Sequence, residues 1–265
     1  MRQRPIRRPL LSVFGLSLLA LLAAPSASMA AHLPVSGGPK EIMIAYRAQP
    51  ADRPGLRAYL ATQQIAMLRR LKAQGVLKSC EILFNPFVQP GTFDAVTVLS
   101  FTRFEDTARW QQIEKTMPGG LDAKGLKLAK PIWEYSADLE WDGAAPSPGP
   151  VADHVFYMIP YSYNAADPYR KFIDAYVVPQ TEGWIREGVL SRYRIFMNRY
   201  QVGDPWDAMF VYEYRNLTSF GRREETVNKV REPLRQDPAW KQLNDTKGNL
   251  RSEAENTITS HLGGC

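Results

Sequence analysis

The chain has 265 residues, with 33 lysines and arginines against 27 acids and a net charge of +6. Four of those bases, Arg2, Arg4, Arg7 and Arg8, precede an uncharged apolar run from Leu10 to Ala24; without them the balance falls to about +2. The remaining charges interleave, as in "GRREETVNKVREPLRQD", instead of clustering into the basic face that a nucleic-acid partner requires, and that class of function is excluded.

In chain order, the basic segment, the apolar run and Ser28-Met29-Ala30 form a signal-peptide pattern over residues 1–30, with cleavage predicted after Ala30. An uncleaved anchor is the alternative, but the run is short for a span, and nothing later is apolar for long enough. The processed protein is therefore expected to be periplasmic or secreted, without a stable membrane span. Arg7-Arg8 leaves the general secretory and twin-arginine routes both open, and no cysteine at the cleavage point calls for a lipid anchor. Residues 31–39 read as a linker.

A strand "EIMIAYR" opens the first unit, residues 40–142. A helix follows, with Leu56, Leu60, Ile65, Leu68 and Leu71 at helical spacing, Pro54 near its start and Gly75 at its stop. "CEILFNPF" and "DAVTVLSF" are strands, "FEDTARWQQIEKTM" a helix, and "IWEYSADLEW" a strand in which Trp133, Tyr135, Leu139 and Trp141 alternate with Glu134, Asp138 and Glu140. The proline-rich "GAAPSPGP" opens a semi-rigid linker, residues 143–152.

The second unit, residues 153–262, repeats the first, and residues 263–265 are a tail. "GVLKSCEILFNPFVQPGTFDA" from Gly75 returns as "GVLSRYRIFMNRYQVGDPWDA" from Gly188, without a gap, at an offset of 113. Strand "HVFYMIPYSY", a helix interrupted or kinked at Pro179, strands "RYRIFMNRY" and "DAMFVYEYR", a long helix from Phe220 to about Lys241 and strand "EAENTITSHL" complete it. The order β-α-β-β-α-β is the ferredoxin-like one. Strands such as "AMFVYEY" and "IMIAY" are apolar on both faces, whereas helices cover only one. The fold predicted is α+β: two ferredoxin-like repeats packed sheet to sheet as a pseudo-dimeric α/β barrel.

Tandem modules of this order and length resemble the dimeric α/β barrel superfamily, including antibiotic-biosynthesis-type monooxygenases and NIPSNAP-like proteins, and "GDPWDAMFVYEYRNLTSF" is similar to a stretch in exported bacterial members. The resemblance implies a range of activities, from cofactor-free oxygenases and haem enzymes to proteins without one, and does not choose among them.

The residues add candidates. His154 begins one strand and His261 ends its neighbour, a proton-transfer pair, a source of a haem ligand, or two rim histidines. Glu213, two residues before Arg215 amid apolar neighbours, suits a general base or an ion pair with Arg192, Arg194 or Arg199; the first unit has Ser100 there. Trp206-Asp207 and Phe93-Asp94 recur at strand entries, as an aromatic plug and an Asx-type turn or as a ligand contact. Tyr157 and Tyr212, among the tyrosines of the second unit, could line a pocket or follow strand propensity. Cys80 and Cys265 form one disulfide or remain two thiols, and two cysteines with three histidines make no zinc site. Binding of a small apolar or aromatic molecule, with Tyr157, Tyr212, Arg215 and Trp206 as contacts, ranks ahead of a cofactor-free or haem-dependent oxygenase using Glu213, His154 or His261. A scaffold acting through a protein partner ranks third. Cofactor, ligand identity and oligomeric state are left open.

Overall fold

The structure, a computed structural model, describes residues 40–200 and 206–265; the predicted signal segment and the linker at 31–39 lie outside them. Strand β1 (Glu41–Ala48) buries Ile42, Ile44 and Tyr46 on one face and Met43 and Ala45 on the other. Then come α1 (Arg53–Tyr59), a π turn (Leu60–Gln64), α2 (Ile65–Ala73), β2 (Ser79–Phe84), β3 (Ala95–Ser100), α3 (Thr107–Glu114), α4 (Ala123–Leu128) and β4 (Ala129–Ala144). The second unit gives β5 (Val155–Tyr163), α5 (Ala166–Phe172), a π turn (Ile173–Val177), α6 (Val178–Arg186), β6 (Leu190–Asn198) and β7 (Ala208–Tyr214). It ends with α7 (Leu217–Gly221), α8 (Arg223–Leu234), α9 (Pro238–Thr246), β8 (Arg251–Glu253) and β9 (Thr257–Gly264).

Two expectations change in detail. Pro179 lies in the first turn of α6, beyond a π turn that the first unit also has, at the same offset and with no proline. The wider turn therefore belongs to the repeated helix and not to the ring. The long helix expected from Phe220 is divided into three, because Asp237 accepts from Ala239 N (2.9 Å) and Pro238 starts a new helix. Gly75 (φ 68°) and Gly188 (φ 75°) end α2 and α6 in the left-handed region, where glycine carries no steric penalty.

The strands form one antiparallel sheet in the order β7-β6-β4-β1-β3-β2-β9-β5-β8. Within it, β4-β1-β3-β2 and β9-β5-β7-β6 each have the ferredoxin-like order, since β5 also pairs with β7. The two sets join at their edges: β4 runs past β1 to pair with β6 from Ala137 to Ala144, and β2 pairs with β9. With β5 on β7, the hydrogen-bonded circuit returns to its start, leaving only short β8 outside it.

Three apolar clusters fill the layers. One lies under the helices of each unit, and the third takes Met43, Val96 and Leu83 from the first together with Phe156, Phe196 and Met209 from the second. The two apolar strand faces are thus both covered, one by helices and one by the other unit.

The repeated sentence makes repeated bonds. Asn85 N and Asn198 N donate to Asp94 O and Asp207 O, each at 2.8 Å. The two side-chain amides donate to Phe93 O (3.2 Å) and Trp206 O (2.9 Å). Asp94 and Asp207 accept from Ala48 N (2.8 Å) and Tyr163 N (2.9 Å). These carboxylates tie strand three to the end of strand one, in place of the local Asx turn that the sequence suggested.

Cys80 on β2 and Cys265 after β9 are joined by a disulfide, with Cα atoms 5.0 Å apart, and Cys265 N donates to Cys80 O at 2.9 Å. The bond closes a loop of 185 residues across the β2–β9 edge. Replacing both cysteines by serine is expected to lower the unfolding free energy by about 3–5 kcal/mol in urea titrations, with the folded-state circular dichroism unchanged. An unchanged midpoint would mean that the cross-link restricts nothing.

Candidate functional site

The interior between the two strand sets has a charged end and an aromatic end. At the charged end, His154 is 2% exposed just before β5, and its Nδ1 lies 2.5 Å from Oε1 of Glu213 on β7. His154 Nε2 faces Pro148 O at 3.0 Å and Ser191 Oγ at 3.3 Å, while Ser191 Oγ donates to Pro148 O at 2.7 Å. A row of hydroxyl, imidazole and carboxylate results, but the hydroxyl proton goes to a carbonyl and not to the imidazole. The step that activates a nucleophile is missing. The row instead ties the 143–152 segment to the strand ends, around a cavity of about 350 Å³ that Arg192 and Asp142 also line.

The three arginines weighed as partners for Glu213 all take other carboxylates. Arg192 pairs with Asp142 (2.5 Å), Arg194 with Glu81 (2.7 Å) and Arg199 with Asp138 (3.3 Å). Val155 pairs with Ser260, so the register sets His154 opposite His261 one rung further on, yet the His154 ring turns to Glu213. His261 is half-buried opposite Leu83. Arg215 falls after the end of β7; its backbone N–H meets Val189 O at 3.1 Å, and its Nε is buried without a partner among the described residues. Deeper in this end, burial pushes the Glu41 carboxyl up to about 7, with Asp138 adding to the effect against a hydrogen bond at Leu139.

The tyrosines occupy the helix side of the second unit. Tyr157 and Tyr212 face each other across β5 and β7 and belong to the helix-covered core. Tyr157 accepts from Asn256 Nδ2 at 2.7 Å beneath Arg223, and Tyr212 packs edge-on against Trp184 at 5.3 Å. Arg251 fills the space beside them, 3.9 Å from the Tyr161 ring centroid. Burial pushes the Tyr169 hydroxyl up to about 12 and that of Tyr212 well above its usual range, as expected of packed core phenols. Strand propensity accounts for Tyr157 and Tyr212.

Trp206 stands apart from them, at the aromatic end. A cavity of about 410 Å³ is walled there by Phe93, Ile132 and Trp133 from the first unit and by Trp206 and Met209 from the second. Trp133 stacks on Tyr135 at 5.3 Å, and Trp206 stands edge-on to both, at 6.4 and 5.8 Å. Trp206 Nε1 and Arg47 Nε are both buried without a hydrogen-bond partner among the described residues, although Arg47 Nη2 donates to Thr92 O. The alternation of Trp133 and Tyr135 and the equivalence of Phe93 with Trp206 were visible in the sequence. What it did not show is that the bonds of Asp94 and Asp207 hold both aromatics at the same end. A larger surface cleft, about 500 Å³, is lined by charged groups including Arg53, which is already paired with Asp94.

No family model matches the chain, and no curated protein matches it. Solved structures do. A protein proposed to be a monooxygenase from Lactobacillus acidophilus aligns over 86% of this chain and 96% of its own, with 14% identity and a TM-score of 0.52. An anthrone oxidase-like protein aligns over 85% and 92%, with 10% identity and a TM-score of 0.55. A chlorite dismutase variant from Candidatus Nitrospira defluvii aligns over 85% and 92%, with 10% identity and a TM-score of 0.50. The chain shares its fold with dimeric α/β barrel proteins of the ferredoxin-like superfamily; at such identities the likeness extends to the fold alone.

A haem held by histidine needs an imidazole nitrogen presented to a cavity. Both nitrogens of His154 face protein groups, and none of the three cavities above is lined by His261. The described histidines do not fit a haem. No group of described histidine, cysteine and acidic residues fits a metal ion, and no described helix is long and apolar enough to cross a membrane.

The Glu41 shift has a sign. Its carboxyl holds a proton in the folded chain up to about pH 7 but loses it near 4.5 when unfolded. The folded state binds more protons between these values, so stability falls as pH rises through that window. Glu41→Gln is expected to add about 2–3 kcal/mol at pH 8 and little at pH 4 in urea titrations. An equal effect at both pH values would contradict the assignment.

Proposed function

We propose that the processed protein is exported and binds a small, flat, apolar or aromatic molecule at the aromatic end of a tandem pseudo-dimeric α/β barrel. The observation that carries the reading is the cavity shared by the two units, with Trp133 and Phe93 from one and Trp206 from the other. Its volume of about 410 Å³ suits a two- or three-ring compound, and ring faces and edges offer offset and T-shaped contacts. Closure of the strand circuit supports the barrel, and the cluster of small and charged residues from Arg2 to Ala30 supports export.

Binding stands ahead of oxygenase chemistry because the row of Glu213, His154 and Ser191 sits at the charged end, where the cavity's ring walls are absent. The activities of the similar structures are not carried over to this chain. Fluorescence titration of the full processed chain with N-phenyl-1-naphthylamine tests the reading. Trp133→Ala and Trp206→Ala are each expected to weaken binding about 10-fold or more, and Tyr157→Phe and Tyr212→Phe to leave it unchanged. Loss in the tyrosine variants with retention in the tryptophan variants would move the site to the helix side and refute the proposal.

A further inference from the structure

We propose that the surface cleft of about 500 Å³ beside the end of β1 and the α4–β4 junction is a second binding site, for a small amphipathic anion: an oxyanion such as a carboxylate on an alkyl tail. The cleft shares only Arg47 with the aromatic cavity, so the two sites stand or fall separately. Its charged lining is four cations, Arg47, Arg53, Lys127 and Lys130, against two carboxylates, Asp52 and Asp94. Asp94 is already taken by Arg53 and by Ala48 N–H. That leaves Asp52 against Arg47, Lys127 and Lys130, none of which forms an ion pair among the described residues. Lys127 and Lys130 are exposed, and their flexible stems can bring an ammonium group to a ligand that enters from solvent.

Two observations lead from charge to ligand. Arg47 and Lys130 are direct partners across β1 and β4, which puts their side chains on one face of the sheet, and both line the cleft. Like charges set opposite each other destabilise a strand pair. The fold does not require them. Ala48 and Tyr163 are equivalent, since their N–H groups serve Asp94 and Asp207, and the pair that then corresponds to Arg47 and Lys130 is Ser162 and Ser252. An anion beside the two cations replaces repulsion by attraction. The tail follows from Val88, 65% exposed, and Leu126, 40% exposed, which both line the cleft, and from Phe87 next to Val88, 54% exposed. An alkyl chain removes such surface from water while its headgroup meets the lysines.

Octanoate, octan-1-ol, acetate and octyltrimethylammonium, titrated by calorimetry at pH 8 into the full processed chain, test the site. Octanoate is expected to bind about 10-fold or more tighter than each of the others. Lys127→Gln combined with Lys130→Gln should remove its advantage over octan-1-ol, and Val88→Ser combined with Leu126→Ser its advantage over acetate. These positions are exposed, and an unchanged circular dichroism spectrum checks that the fold is kept. Trp133→Ala, which removes a wall of the aromatic cavity, should leave octanoate binding as it is, so failure of one site is distinguishable from failure of the other. Any other probe binding as tightly as octanoate, an advantage that survives the lysine substitutions, or loss of octanoate binding in Trp133→Ala overturns the inference. Absence of octanoate binding overturns it too, and if the chain then binds phosphatidylglycerol vesicles, the face is a membrane-docking surface instead.

Discussion

Arg194 and Glu81 meet at 2.7 Å, and their numbers differ by 113, the offset of the internal repeat. They are the same position in the two units. Arg194 lies on β6 and Glu81 on β2, and in the closed strand circuit three strands separate these two in either direction. In an association of identical modules such a position would confront its own charge across the axis. A chain that carries both modules is free to place opposite signs there. The side chains are 10% and 18% exposed, so either one left alone would be a largely desolvated charge. The pairing offsets the desolvation of these two charges at the polar end of the interior.

The rest of the architecture follows from the same closure. The β4–β6 and β2–β9 edges satisfy backbone groups that each four-stranded set would otherwise leave open, and the disulfide fixes the second of these edges. Between them the interior divides by chemistry. Ion pairs and the His154–Glu213 contact surround a cavity of about 350 Å³ at one end, while rings from both units wall the cavity at the other.

Much of this was legible in the sequence, for identifiable reasons. The repeat survives as Asn85/Asn198 and Asp94/Asp207 because in both units the asparagine amide donates to the carbonyl before the aspartate, and the carboxylate accepts from the backbone at the end of the first strand. Two-sided apolar strands such as β1 announced a second cover, and the third cluster is that cover. The site was less legible. Glu213 looked like a partner for an arginine, and choosing between Arg192, Arg194, Arg199 and His154 depends on cross-strand distances that a sequence does not contain. Trp206 was picked out, but Arg47 was not: it lies at the end of β1 with no neighbour in sequence to mark it, and only the fold brings it to Trp206's cavity. The tyrosines misled in the other direction, since aromatic residues suited to a pocket wall are equally suited to a buried strand.

The central claim is that the two units close on each other through equivalent positions of opposite charge. A double-mutant cycle in urea, with Glu81→Arg, Arg194→Glu and the two combined, tests it most directly. Each single reversal places like charges together and should cost about 2–4 kcal/mol, while the exchanged pair should recover more than half of the summed loss. Additive losses in the double variant would show that Glu81 and Arg194 do not meet, and that the halves are not closed as described.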